Sequence, residues 1–347
     1  MIKGSHYQQV KAQLRAKPRI WLITGVAGFI GSNLLEVLLK LNQRVVGLDN
    51  FSTGCRRNLA QAVAAAGPAA ASRFHLIEGD THDQGCCEAA CHGIDYLLHH
   101  AADTSAPTGW SDRAPRLVRG NRTSFLNVLN AARQTGVCRV VYAASGADYD
   151  SDLPPPKLVA ELGRPFSQWA TGRYIAEIDN DTCVGAYSMP SIGLRYFNVF
   201  GPRQSSTGIH AGVIGQWLAA LVNDPDAYIP GSKACDADFC FVNNIVQANL
   251  LAAVSARPET LNRVFPVGMG ETITLDRLLQ FLRECLAQKV IKPGASHVGC
   301  KVYRPATPFP GPVDISKIRR LLGYVPGYSV ADGLAATIAW YLRELVN

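Results

Sequence analysis

The stretch Trp21-Leu-Ile-Thr-Gly25-Val-Ala-Gly28-Phe-Ile-Gly31 constrains this chain more than any other feature. A short apolar and β-branched run enters three glycines spaced GxxGxxG, and an apolar segment of helical period, Ser32–Leu41, follows at once. Strand, tight turn and helix in that order bring free N–H groups and the positive end of a helix dipole together, which suits an anion. Glycines there let the chain turn, let backbone approach a pyrophosphate, and let the helix pack against the strand. A second strand, Arg44–Asp49, ends on an acid, in the place where a dinucleotide-binding domain holds the adenosine ribose hydroxyls. Together these features predict NAD as cofactor. Asp49 repels a 2′-phosphate and so disfavours NADP, with Arg56 and Arg57 nearby as the opposing signal.

Similar apolar runs recur at Arg19–Thr24, Phe74–Gly79, Tyr96–His99, Arg139–Ala144, Ile192–Asn198 and Val264–Val267. Their length and β-branched content predict buried parallel strands. Helix-period segments lie between them: Leu34, Leu35, Leu38 and Leu39 share one face of Ser32–Leu41, and Phe125, Leu126 and Leu129 one face of Asn121–Gln134. The alternation predicts an α/β fold, a doubly wound parallel Rossmann sheet with a smaller C-terminal substrate lobe. The expected division is an N-terminal segment 1–18, a cofactor domain 19–200 that also receives a strand near 264–267, and a lobe with C-terminal helices over 201–347. Ala60–Ala71 reads as an Ala-rich loop, Pro154-Pro155-Pro156 interrupts regular structure before a long helix at Ser167–Tyr187, and Ala331–Leu345 reads as an outer amphipathic helix.

No apolar run approaches the roughly 20 residues of a membrane helix, and Met1–Pro18 lacks the apolar core of a signal peptide, so a cytoplasmic protein without a membrane partner is expected. The ten cysteines have no metal-site spacing, so no metal is expected. The net charge of +7 comes from scattered pairs such as Arg319-Arg320, without the basic run or aromatic platform of a nucleic-acid binder. His99 and His100 end a strand with no ligand partners near them in sequence, which predicts packing or backbone roles.

The chain resembles the extended short-chain dehydrogenase/reductase family, in particular bacterial UDP-N-acetylhexosamine 4-epimerases. The resemblance rests on the glycine loop, Gly47-Leu-Asp49-Asn-Phe-Ser-Thr-Gly54, Gly79-Asp80, His99-His-Ala-Ala102, Asn121, Tyr142-Ala-Ala-Ser145, Leu194-Arg-Tyr-Phe-Asn-Val-Phe-Gly201 and Asp314-Ile-Ser-Lys317. It implies that Gly25, Gly28, Phe29, Ile30, Gly31, Asp49 and Asn50 contact the cofactor. Asp80 and Thr81 would lie at the adenine, Ala101, Ala102 and Asn121 along the molecule, and Tyr196 and Arg173 at its nicotinamide end. Ser105, Ser145, Asn198 and Arg203 would meet a UDP-sugar, and a homodimer would form through Asn121–Gln134 and Ser167–Tyr187.

In such enzymes a tyrosine takes a sugar hydroxyl proton while NAD takes hydride from the same carbon, and a lysine one helical turn on holds the ribose and lowers the tyrosine pKa. Here Trp169 stands at the tyrosine position and Arg173 at the lysine position, beside a retained Ser145. An indole N–H only donates, and a guanidinium fork does not replace an ammonium. Tyr174 lies about 100° around the helix from Arg173, and Tyr149 matches a loop aromatic of the family, so neither replaces the base. Ser145 is followed by Gly146 and Ala147, which departs from the related dehydratases. Of two arginines that grip the diphosphate in the family, one is Ala237 here and the other falls at Phe309. The expectation is an NAD-binding member of the 4-epimerase lineage with weak or no epimerase activity, acting as a regulator or partner of a polysaccharide-pathway enzyme. The alternative is an active epimerase or oxidoreductase on an altered UDP-sugar, using a non-standard base.

Overall fold

The computed structural model describes residues 6–103, 114–145, 177, 179, 189–205, 212–224, 227, 229, 236–287 and 311–346. Its centre is a parallel sheet of seven strands: β1 (Ile20–Thr24), β2 (Arg44–Asp49), β3 (Phe74–Glu78), β4 (Tyr96–His99), β5 (Arg139–Ser145), β6 (Ser191–Tyr196) and β10 (Arg263–Val267). Their spatial order is β10-β6-β5-β4-β1-β2-β3. The order reverses between β1 and β4, and that switch point opens a crevice beyond the carboxyl ends of the two strands. Each expected strand is present with ends shifted by a residue or two. The run expected over Ile192–Asn198 stops at Tyr196 because Asn198 takes a positive φ of 38°, which no strand continues.

Apolar residues bury on both faces, as the near-continuous hydrophobic runs require. One face receives α1 (His6–Ala16), α2 (Phe29–Lys40), α3 (Arg56–Ala66), α7 (Val242–Val254) and α9 (Ser316–Leu322). Leu34, Leu35, Leu38 and Leu39 of α2 are all buried there. The other face receives α4 (Gln84–Cys91) and α5 (Ala114–Thr135), which bring Cys87, Phe125, Val128 and Leu129 against Leu22, Leu97 and Val140. A third apolar cluster joins α6 (Val213–Asn223), α8 (Leu275–Ala287), α10 (Val330–Val346) and the short strands β7 (Val199–Phe200), β8 (Asp236–Ala237) and β9 (Cys240–Phe241). A further short strand, β11 (Ile273–Thr274), pairs with β8. Phe29 and Ile30 pack against this third cluster, so the start of α2 touches both the sheet and the lobe.

Two segments differ from the sequence reading. Ala60–Ala71 is no loop: its first half belongs to α3, because alanine has the highest helix propensity, and Gly67 (φ +98°) then ends the helix before Pro68 opens a 3₁₀ turn, Pro68–Arg73. The N-terminal segment forms α1, which buries Val10 and Leu14. Gln43, fully buried, fastens it by donating to the Leu14 and Leu41 carbonyls while accepting from Trp21 Nε1 and Arg19 N. Among the described residues no helix is long and apolar enough to cross a membrane.

Candidate dinucleotide site

The glycine loop is shaped by contacts that exclude a side chain at two of its three positions. Gly25 has φ +71°, a conformation other residues rarely adopt, and a Cβ on it would lie 2.7 Å from Ala101 N. A Cβ on Gly31 would lie 2.2 Å from Gly25 O, so α2 reaches its close approach to β1 only with glycine there. At Gly28 a Cβ would meet Gly25 O at 3.2 Å and no other non-neighbouring atom among the described residues. Gly28 is also the N-cap of α2 and contributes no side-chain cap, so the helix N-terminus keeps donors for an external anion.

Asp49 ends β2 beside this loop. Its Oδ2 accepts from Ala27 N at 2.8 Å and its Oδ1 from Phe51 N at 2.8 Å, which fixes the carboxyl against the glycine loop. Burial pushes its pKa up, and the two backbone N–H groups oppose that shift. Gly54 passes so close that a Cβ would meet Asp49 Oδ1 at 2.9 Å. Arg56 and Arg57, the opposing signal for NADP, are both engaged: Arg56 pairs with Glu78 at 2.5 Å and lies over the Phe51 ring, while Arg57 pairs with Glu344 at 2.6 Å.

Farther along the crevice Asp80 accepts from Asn50 Nδ2 (2.9 Å) and is bonded to His82 through its backbone N (2.9 Å) and ring Nδ1 (2.7 Å). Burial raises the pKa of Asp80, but these bonds outweigh it and hold the group below its ordinary value. Thr81 is buried with its hydroxyl 2.6 Å from Ser124 Oγ, and its carbonyl accepts from Asn127 Nδ2 at 3.1 Å and Cys87 Sγ at 3.4 Å. Thr24 Oγ1 meets His99 Nδ1 at 2.8 Å and accepts from Ala101 N at 3.3 Å, which ties the carboxyl ends of β1 and β4 together beneath Ala101 and Ala102. Asn121 exchanges two hydrogen bonds with the Asp103 backbone, accepting at 2.7 Å and donating at 2.9 Å, so it braces the chain just past Ala102. Tyr196 is buried, stacked on His100 with centroids 6.0 Å apart, and shares two hydrogen bonds with Asn249 of α7.

A crevice at a topological switch point, a glycine loop with an open centre and an acid at the end of β2 fit an adenine dinucleotide. The pattern of the NAD dependent epimerase/dehydratase family matches residues 21–268. The chain belongs to this family. It is 28% identical over 330 residues to the UDP-glucose 4-epimerase of Mycolicibacterium smegmatis, covering 93% of this chain and 98% of that protein. Among solved structures it is similar to the UDP-N-acetylglucosamine 4-epimerase of Methanobrevibacter ruminantium in complex with UDP-N-acetylmuramic acid (TM-score 0.80, 27% identity, 94% of this chain and 99% of that one). It is also similar to the Thermus thermophilus UDP-glucose 4-epimerase complex with NAD (TM-score 0.73, 27% identity, 93% and 99%). The cofactor of the family is NAD, and the residues of this chain fit it. Gly28, Phe29 and Ile30 would face the pyrophosphate at the start of α2, and Asp49 would accept from the ribose hydroxyls.

On the substrate side of the epimerase fold the assignments diverge. Arg203 is buried and turned onto α2, where Nη2 donates to Asn33 Oδ1 and to Glu36 Oε2, each at 2.7 Å. The guanidinium expected at a UDP-sugar is thus engaged by two side chains of α2. Asn198 donates from Nδ2 to the Asp238 carbonyl at 2.9 Å, holding β7 to β9. Ala237 is fully buried in the lobe's apolar cluster. Ser105, Trp169, Arg173, Tyr149, Tyr174, Phe309 and the Ser145 side chain lie outside the described residues; the backbone of Ser145 ends β5 opposite Tyr196.

Sequence reasoning missed two polar groups in the lobe and helix. Asp238, fully buried, accepts from Met269 N (2.8 Å), Gly270 N (2.9 Å) and Val313 N (3.4 Å), and burial pushes its pKa up to about 6. Asn33 lies in the buried part of α2, and its only signal was a polar residue inside an apolar helical run.

Proposed function

We propose that this family member holds NAD and a UDP-N-acetylhexosamine-type ligand with weak or no 4-epimerase turnover, and acts as a homodimeric regulator or partner of an enzyme making polysaccharide precursors. The observation that carries the reading is Trp169 and Arg173 at the family's tyrosine and lysine positions, in a chain whose cofactor cradle is intact. Epimerisation needs a base whose pKa is tuned toward neutrality, and an indole has no proton acceptor to offer. Ala237 removes one expected phosphate grip, and Arg203 is occupied by α2. Each missing charge-assisted contact costs about 1.5–3 kcal/mol of ligand binding.

A coupled 4-epimerase assay with UDP-N-acetylglucosamine tests this across three proteins: the parent, Trp169→Tyr with Arg173→Lys, and those two changes with Ala237→Arg and Phe309→Arg added. The expected result is negligible rate in the parent and poor rescue in the double variant, because restoring the base leaves the substrate poorly held. Further gain is expected in the quadruple variant. Ordinary enzyme rates in the double variant would mean an intact substrate grip. Turnover by the parent would favour the alternative, an active enzyme with a non-standard base.

A further inference from the structure

Pro202 and Arg203 meet α2 from a loop 169 residues beyond Asn33, and their contacts interlock. Asn33 Nδ2 donates to the Phe29 carbonyl at 2.9 Å and to the Pro202 carbonyl at 3.0 Å. Its Oδ1 accepts from Arg203, whose guanidinium also reaches Glu36. Glu36 is held by Lys40 as well, at 2.5 Å; burial raises its pKa, but the two cations outweigh that and keep it below its ordinary value. One side chain, Asn33, therefore joins the first turn of the dinucleotide helix to the loop that leaves the sheet toward the lobe.

Three features show that this clasp is held at a cost. Arg203 has φ +68°, a left-handed conformation unfavourable for a residue with a Cβ. Its side chain is only 5% exposed. Its Nε is buried with no acceptor among the described residues, where a contact selected for stability alone would satisfy every buried donor. The loop leading into it is also unusual, with positive φ at Asn198 (38°) and Gly201 (155°). That loop carries Asn198 and β7, which pairs with β9 through Val199–Cys240 and Phe200–Phe241.

We infer that Arg203 is a positioning residue: through Asn33 and Glu36 it makes the order of the lobe's entry loop depend on whether NAD occupies the first turn of α2. A pyrophosphate on the N–H groups of Phe29 and Ile30 fixes that turn, the Phe29 carbonyl fixes Asn33, and Asn33 with Glu36 fixes Pro202 and Arg203. The packing of Phe29 and Ile30 on the lobe cluster reinforces the same direction of influence. The inference needs NAD binding but neither a sugar nucleotide nor turnover, so it stands or falls separately from the proposed loss of activity.

Hydrogen exchange at the amides of Val199, Phe200, Gln204 and Cys240, with and without saturating NAD, tests it in the full chain. NAD should slow exchange there about tenfold in the parent, within the range of ordinary coupling between sites. In Arg203→Gln the slowing should fall below about twofold while the NAD dissociation constant, titrated on the same samples, stays within about threefold of the parent. Arg203→Lys, which keeps the charge and one donor direction, should recover part of the effect. A merely structural arginine would give faster exchange in the variant both with and without NAD, leaving the NAD-induced ratio unchanged. That unchanged ratio would overturn the inference, as would a parent that binds NAD without protecting these amides. If Arg203→Gln does not fold, Glu36→Gln, which retains its Lys40 neighbour and an acceptor oxygen, is judged by the same ratio.

Discussion

Alanine at Gly28 and alanine at Gly31 separate the two jobs that the glycine loop performs. A Cβ at position 31 would lie 2.2 Å from Gly25 O and 2.9 Å from both Gly25 C and Val26 Cα. These are backbone atoms of the turn, so α2 must retreat by about 1 Å to restore van der Waals contact, and overpacking of that kind costs about 1–3 kcal/mol. Gly28 is different. Its φ of −76° and ψ of 179° are open to alanine, and among the described residues its Cβ meets only Gly25 O, at 3.2 Å. Losing glycine at an N-cap costs up to about 1 kcal/mol, while removing its backbone freedom from the unfolded chain returns about 0.4–1 kcal/mol, so the net change in stability is close to zero. The methyl group nevertheless points into the space assigned to the pyrophosphate. Thermal melting and NAD calorimetry should therefore diverge: Gly28→Ala melts within about 2 °C of the parent yet binds NAD at least about tenfold more weakly, whereas Gly31→Ala loses both stability and binding. A Gly28→Ala variant that bound NAD like the parent would refute the assignment of this loop to the pyrophosphate.

NADP should bind at least about tenfold more weakly than NAD by calorimetry, because its 2′-phosphate would face Asp49 while Arg56 and Arg57 are already paired, and Asp49→Ser should narrow the gap; equal affinities in the parent would count against the role of Asp49. Asp238 should make stability fall as pH rises from about 4 to about 6: its folded pKa of about 6 exceeds the ordinary 3.8, so the folded protein holds the proton more tightly, and at about 1.4 kcal/mol per unit the difference approaches 3 kcal/mol. Denaturation at several pH values should show the parent losing stability relative to Asp238→Asn over that window, and parallel pH profiles would refute the shift. Light scattering should report a homodimer at micromolar concentration, paired through α5 and the segment 167–187, and a monomer would contradict that arrangement.

The sheet was legible because strands buried on both faces must be continuous apolar runs, and Trp21–Thr24, Leu97–His99 and Val140–Ala144 are such runs. The cofactor site was legible for a related reason: Gly25, Gly28, Gly31 and Asp49 lie on one strand-turn-helix-strand unit, so local spacing fixes their geometry. Ala60–Ala71 was misread because low complexity masks helix propensity, and only Gly67 and Pro68 mark where the helix ends. The partners of Arg203 were not legible for a different reason. A buried arginine can serve a phosphate or a carboxylate, and the carboxylate it serves, Glu36, lies 167 residues away in the chain. Asp238 was unreadable as a buried acid because its partners are backbone N–H groups at 269, 270 and 313, which leave no trace in side-chain identity.

The central claim is that NAD sits in a sound cradle while no group takes the proton that hydride transfer requires. The direct measurement is the near-ultraviolet absorbance of reduced nicotinamide after UDP-N-acetylglucosamine is added to the NAD-loaded protein, with the cofactor content of the same sample determined after heat release. One NAD per chain and no growth of the reduced-cofactor band is the result this account predicts. A band that rises with the sugar nucleotide in the unmodified protein would show hydride leaving the sugar without a tyrosine at position 169, and would contradict it.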